Sequence, residues 1–363
     1  MKKLKNLLLL SVGFLAMTVT GCNRGNGETS KEPEKEDRPI VFVMSGQSNM
    51  EGNTAYGKSA TDTSYLTNAF KDLGIEDGQC CIDGIESVKT SFYGNGYGEL
   101  SRDNYNTGGQ SRADRQPHAS NTEDKIKGKF LATKIGMGHT DSMIGPELGC
   151  AYALKDKATA EKPIYFIKMS SSGSGFAQSG SSAEGKNWLV KNEDGTTVEH
   201  TLYSDFLTPF LKNNLDLIEE TTGKKPVIKG WLWHQGESDC DGGTKTAKYA
   251  QRLGDLVAQF REDFKEYASQ GEGANIAFID GMVYQGKNTA WTKPADMNAQ
   301  KQQFADSNNM NFLVDTYANE EATDANELKP GSPGGDNMHY NTKSSFRLGM
   351  AYGKVIIDNN LLD

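Results

Sequence analysis

The chain has 363 residues, 39 of them basic and 48 acidic, for a net charge of −9. That balance argues against nucleic acid or an anionic membrane surface as the main partner. With 36% hydrophobic residues and 40 glycines, it describes a loop-rich globular protein rather than a helical bundle.

In chain order, Lys2, Lys3 and Lys5 precede an apolar run from Leu7 to Val19, followed by Thr20-Gly21-Cys22. A basic start, a short apolar core and small residues at the cut describe a signal peptide too short to span a bilayer. Val19-Thr20-Gly21-Cys22 resembles a bacterial lipobox, which implies an exported lipoprotein of the cell envelope, touching the membrane only through a lipid on Cys22. Residues 23–38 are charged and lack large apolar groups, so they read as a flexible tether. The folded domain is expected from 39 to 363. Cys80, Cys81, Cys150 and Cys240 remain; an exported protein permits disulfides, but no spacing selects a pairing and none resembles a zinc ligand pair.

Ile40 to Met44 has the β-branched, continuously apolar character of a buried parallel strand, and it breaks into Ser45-Gly46-Gln47-Ser48-Asn49-Met50. A strand ending in such a turn presents a hydroxyl at the carboxyl edge of a sheet, where open α/β folds bind ligands. Asn53 to Thr140 is rich in Gly, Asn, Asp and Tyr and is read as a long loop insertion with one short strand near Ser87–Phe92. Pro146 and Glu147 then open a helix. Ile164–Ile167 is the second strand, followed by Ser170-Ser171-Ser172-Gly173-Ser174-Gly175. A helix over about Leu202–Glu220 carries Leu207, Phe210, Leu211, Leu215 and Ile218 on one face and closes at Gly223. Val227–Trp233 is the third strand, ending at His234-Gln235-Gly236-Glu237-Ser238-Asp239. A helix over about Lys245–Glu266, a strand at Ile276–Ile279, a helix near Ala295–Ser307, a strand at Asn311–Asp315 and a helix from about Ser344 complete the chain. Strands alternating with amphipathic helices specify a three-layer α/β/α sandwich with a mostly parallel, five-stranded, flavodoxin-like sheet.

If those strands are parallel, Ser48, the loop at Gly173 and Gln235/Glu237 share one sheet edge, and the Asp336–His339 segment before the last helix can fold over it. A hydroxyl, backbone N–H donors, an amide, carboxylates and an imidazole are the parts of acyl transfer through a base-activated serine and an oxyanion hole. Glu147 reads as a first-turn helix residue, and Trp188, Tyr97, Trp291 and Phe176 as core or a sugar platform.

Gly46-Gln47-Ser48-Asn49-Met50, Gly145-Pro146-Glu147-Leu148, Gln235-Gly236-Glu237-Ser238 and Asp336-Asn337-Met338-His339, in that order, resemble the SGNH-hydrolase superfamily. The matching branch is the sialate O-acetylesterase-like and acetylxylan esterase carbohydrate esterases. The resemblance implies an SGNH fold and hydrolysis of O-acetyl esters on glycans without cofactor or metal, the partner being an acetylated carbohydrate. It implies Ser48 as nucleophile and His339 as base, with His234 the runner-up. Asp336 or Glu237 is the orienting carboxylate. The N–H groups of Ser48 and Gly173 and the amide of Gln235 form the oxyanion hole. Relatives carry Gly-Gly-Thr where this chain has Ser172-Gly173-Ser174, so Ser172 and Gly175 stay open as the donor position. A glycosidase using two of Glu147, Glu237 and Asp336, or a glycan-binding lipoprotein with a decayed site, are the competing readings.

Overall fold

Apolar runs that end in glycine and polar turn residues become the centre of the sheet. The computed structural model describes residues 37–93, 129–176, 187–285, 290–315 and 338–363. Cys22 and the rest of the expected lipobox, most of the expected tether, Tyr97, His118 and Asp336 lie outside the described residues.

The first strand, β1 (Ile40–Gly46), runs into a single helical turn, α1 (Ser48–Glu51), and a short strand β2 (Thr54–Ala55). Then come α2 (Ser64–Asp72), α3 (Cys80–Asp83), β3 (Ile85–Tyr93), β4 (Leu131–Thr133) and β5 (Met143–Ile144). Strands and helices alternate from there: α4 (Pro146–Leu154), β6 (Ile164–Ser170), α5 (Thr208–Thr222), β7 (Val227–His234), α6 (Thr244–Ala247) and α7 (Tyr249–Asp263). The last elements are β8 (Ala277–Gly281), α8 (Pro294–Ala305), β9 (Asn311–Val314) and α9 (Thr342–Asp358).

The main sheet has seven strands in the order β4-β3-β6-β1-β7-β8-β9. Every pairing is parallel except β3 with β4. The five strands expected from the sequence are the run β6-β1-β7-β8-β9, which is the flavodoxin-like order 2-1-3-4-5. The short strand expected near Ser87–Phe92 is β3, and the expectation of a five-stranded sheet is corrected because β3 pairs with β6 and, with β4, extends the sheet at that edge to seven strands. The reason is chemical. β3 buries Thr90 and Ser91 as well as Val88 and Phe92, so its sequence lacks a clean apolar alternation. Its hydroxyls are satisfied across the pair: Thr90 and Thr133 lie 2.7 Å apart, oxygen to oxygen, and Thr133 donates to the Val88 carbonyl at 2.8 Å. β4, at three residues, is too short to show a period.

Alternate side chains of β1 enter two cores, as the pleat requires. Val41 and Val43 join Trp231, Trp233 and the apolar faces of α5 and α7. Phe42 and Met44 join Phe166, Leu232 and residues of α2, α4 and α9. Within the first core, Trp231 stacks on Phe260 with ring centroids 4.3 Å apart. Phe176 and Trp188 are fully buried there too, which removes them from any sugar platform; Trp291 is only partly buried. In the second core, α4 and α9 cross at two glycines: a Cβ on Gly149 would sit 1.9 Å from the Phe346 carbonyl oxygen, and one on Gly349 would sit 2.0 Å from that of Pro146. The four described cysteines are free thiols.

Candidate active site

β1 lies between β6 and β7 with Gly46 abreast of Ser170 on one side and of His234 on the other. Three loops therefore leave the same edge side by side. The tightness of the central one is set by Gly46: its φ is +151°, and a Cβ there would lie 2.0 Å from the His234 carbonyl oxygen. No larger residue fits. Gln47 then donates its N–H to that same carbonyl at 3.0 Å, and Ser48 opens α1. As the first helical residue, Ser48 has an N–H without an intrahelical acceptor. Its side chain is nearly buried, 7% exposed.

On the β6 side, Ser172 and Gly173 are half-buried, and Gly173 has φ +71° with open space where a Cβ would be. Ser172 is committed: its N–H donates to Glu51 at 2.9 Å and its hydroxyl bonds the same carboxylate. Gly175 is buried against Asp239, whose Oδ2 would lie 2.6 Å from an added Cβ. Of the two glycines among the three positions, Gly173 is the one whose added Cβ would meet nothing within 4 Å.

On the β7 side, Gln235 is completely buried. Its Nε2 lies 2.8 Å from Asp239 Oδ2 and 3.2 Å from both Gln47 Oε1 and the Ser174 carbonyl. The amide that was expected in the oxyanion hole thus points at protein acceptors behind the loops. Glu237 is also buried and accepts a hydrogen bond from Asn49 Nδ2 at 2.8 Å. Its carboxylate lies 3.4 Å from His234 Nε2. Burial pushes the Glu237 pKa up, but the neighbouring His234 and the Asn49 hydrogen bond outweigh it and hold the group at about 2. Asp239 shows the opposite balance: burial dominates the hydrogen bonds from Phe176 and Gln235 and lifts it to about 6.

His339 is partly exposed, between exposed Met338 and buried Tyr340. Asn49 donates to the Met338 carbonyl at 3.1 Å and accepts the Tyr340 N–H at 3.1 Å. The residue after Ser48 is thus bonded to the backbone on both sides of His339. His234 is fully buried, with its ring 5.5 Å from that of Tyr340. His139 lies behind α1, 2.9 Å from Glu51, and His200 is on the surface beside Asp205. Glu147 is buried in an ion pair with Lys168 and receives the Gly145 N–H at 2.9 Å. Among the described residues, no group of three or more His, Cys, Asp or Glu is placed to hold a metal ion.

A family model for carbohydrate esterases, the sialic acid-specific acetylesterases, matches residues 131–358, well over half of the chain. The chain belongs to this family. The match begins downstream of the Ser48 turn, so the family assignment and the geometry around Ser48 are separate findings. An Arabidopsis thaliana protein of known structure is similar, with a TM-score of 0.52 at 16% identity, covering 89% of this chain and 99% of its own. NanS is similar with a TM-score of 0.50 at 14% identity, covering 89% and 98%. At these identities the likeness is one of fold. Among curated proteins no match was found.

The family's fold here is braced by residues whose roles the motifs did not disclose. Gln47, Asn49, Glu51 and Asn53 alternate along and just past α1. Asn53 Nδ2 donates to the Ser48 carbonyl at 3.1 Å and to Ser172 Oγ at 3.0 Å. Gln47 Oε1 accepts the Ser238 N–H at 3.1 Å, and Asp239 accepts that of Phe176 at 3.0 Å. The available signal was a run of polar residues directly after a buried strand, which cannot be left unpaired in a core.

Proposed function

We propose that this carbohydrate esterase removes O-acetyl groups from glycans, acetylated sialic acids first among them, with Ser48 as nucleophile and His339 as base. The observation that carries the reading is the bracket of hydrogen bonds from Asn49, the neighbour of Ser48, around His339. The Ser48 hydroxyl attacks the acetyl carbonyl while the His339 imidazole takes its proton. The N–H groups of Ser48 and Gly173 receive the developing oxyanion, and Gln235 serves by bracing the loop behind them. The C–O bond to the sugar breaks, and His339 returns the proton to the leaving sugar hydroxyl. Water, deprotonated by His339, then releases acetate and restores Ser48. Asp336, three residues before His339, is assigned the orienting carboxylate on that spacing, while Glu237 serves Asn49 through Oε1. The likeness of Val19-Thr20-Gly21-Cys22 to a lipobox supports attachment of the enzyme to the cell envelope through Cys22.

Acetate release by the full chain from O-acetylated sialic acid, acetylated xylan and p-nitrophenyl acetate tests the reading. Turnover is expected in the wild type, with the acetylated sialic acid favoured over xylan, and Ser48→Ala should lower it at least about 10³-fold. Undiminished turnover in that variant would overturn the nucleophile assignment, and acetate from xylan alone would overturn the substrate.

A further inference from the structure

Asn49 has three polar contacts to other parts of the chain, and together they use its whole carboxamide. Nδ2 donates to Glu237 Oε1 at 2.8 Å and to the Met338 carbonyl at 3.1 Å, and Oδ1 accepts from the Tyr340 N–H at 3.1 Å. Two donor hydrogens and one acceptor oxygen are thereby satisfied in a side chain only 2% exposed. The arrangement has one orientation. Turning the amide over would set its oxygen against a carboxylate and a carbonyl and its NH₂ against an N–H. Glu237 adds to the choice that the two backbone groups already impose, since an ionised carboxylate only accepts, and the desolvation that opposes its charge is met by His234 as well as by Asn49.

The backbone contacts fall on the residues immediately before and after His339. A peptide pinned at both neighbours has little freedom left at the residue between them, so the origin of the imidazole is fixed relative to α1. Because Ser48 precedes Asn49 in that same helical turn, the bracket sets the distance between the two groups that exchange a proton. Further bonds hold the segment from its far side: Thr54 Oγ1 donates to the Tyr340 carbonyl at 2.9 Å, and Asn341 caps α9 by accepting the Ser344 N–H at 2.9 Å. Those anchor it to β2 and α9, whereas Asn49 anchors it to the serine turn.

We propose that Asn49 is a positioning residue that acts through His339, with Glu237 behind it reinforcing the orientation of the amide. The proposal rests on the Ser48/His339 reading and goes beyond it by giving Glu237 work other than orienting the base directly.

A double-mutant cycle on p-nitrophenyl acetate hydrolysis by the full chain tests it. Asn49→Ala should lower kcat about 100-fold, as expected for a misplaced proton acceptor, with KM within about threefold of wild type. In a His339→Ala background the same change should cost almost nothing further, because its effect runs through the lost imidazole. Asn49→Ser, whose hydroxyl cannot bridge both peptide groups, provides the same cycle if the alanine variant does not fold. Equal losses in both backgrounds, or wild-type kcat in either Asn49 variant, would overturn the proposal. The underlying reading fails separately: if His339→Ala alone retains wild-type kcat, His339 is not the base.

Discussion

Around the serine turn three carboxylates, Glu51, Glu237 and Asp239, are buried within two loops of one another, and each is held in place by specific donors. Asp239 is the one for which burial wins, so its pKa rises from 3.8 to about 6. A folded-state pKa above the unfolded value means that the native protein binds the proton more tightly; the stability contributed is fully present below the unfolded pKa and lost as pH rises through the folded one. Relative to Asp239→Asn, which carries no titrating group there, the wild type should lose stability as pH rises from about 4 to about 6 and then level off. Urea unfolding of both proteins across that range checks it, and a difference that stays constant or grows with pH would contradict it. What the site retains in exchange is an ionised acceptor at neutral pH for the Phe176 N–H and the Gln235 amide, which together fix the loop carrying Gly173.

Among the elements, α4 and β6 face each other across one ion pair with no solvent, Lys168 with Glu147, both fully buried. Lys168 also donates to the Met137 carbonyl at 3.2 Å, and burial lowers its pKa against the pull of Glu147. Removing one partner leaves the other charge unpaired in the core. Lys168→Met should therefore cost about 3–5 kcal/mol in equilibrium unfolding, while adding Glu147→Gln, which keeps an acceptor for the Gly145 N–H, should recover at least half of the loss. If the double variant is no more stable than the single one, the pair is not the origin of the cost. Glu147 had read as an ordinary first-turn helix residue. Its position was legible and its burial was not, because Lys168 lies in an apolar strand and only pairing across space reveals why a charge is tolerated there.

At the scale of the whole molecule, the placing of the site follows from topology. A central β1 flanked by parallel β6 and β7 aligns Ser48, Gly173 and Gln235 at one edge. The sequence disclosed this because each strand was an apolar run broken by a glycine-bearing turn, as at Met44-Ser45-Gly46. It placed a short strand near Ser87–Phe92, where β3 lies, but did not disclose that β3 joins the main sheet, nor its partner β4, because buried threonine and serine hydroxyls blur the alternation. Nor did it disclose α2, whose Leu66, Ala69 and Phe70 form a single short apolar stripe. At the site, motif and spacing singled out Ser48 and His339, and the structure adds that Asn49 links their two segments. The contacts of Gln235 with Gln47 and Ser174 and the bracket made by Asn49 depend on partners tens to hundreds of residues away, which periodicity does not reach.

The central claim, that Ser48 is an activated nucleophile served by this edge of the sheet, is tested most directly by mapping the adduct of a serine-directed fluorophosphonate on the folded full chain by mass spectrometry. One equivalent on the peptide containing Ser48, absent from the Ser48→Ala and urea-unfolded proteins, is the expected result. Acetate-releasing protein that takes up no label, or takes it up at another residue, would contradict the claim.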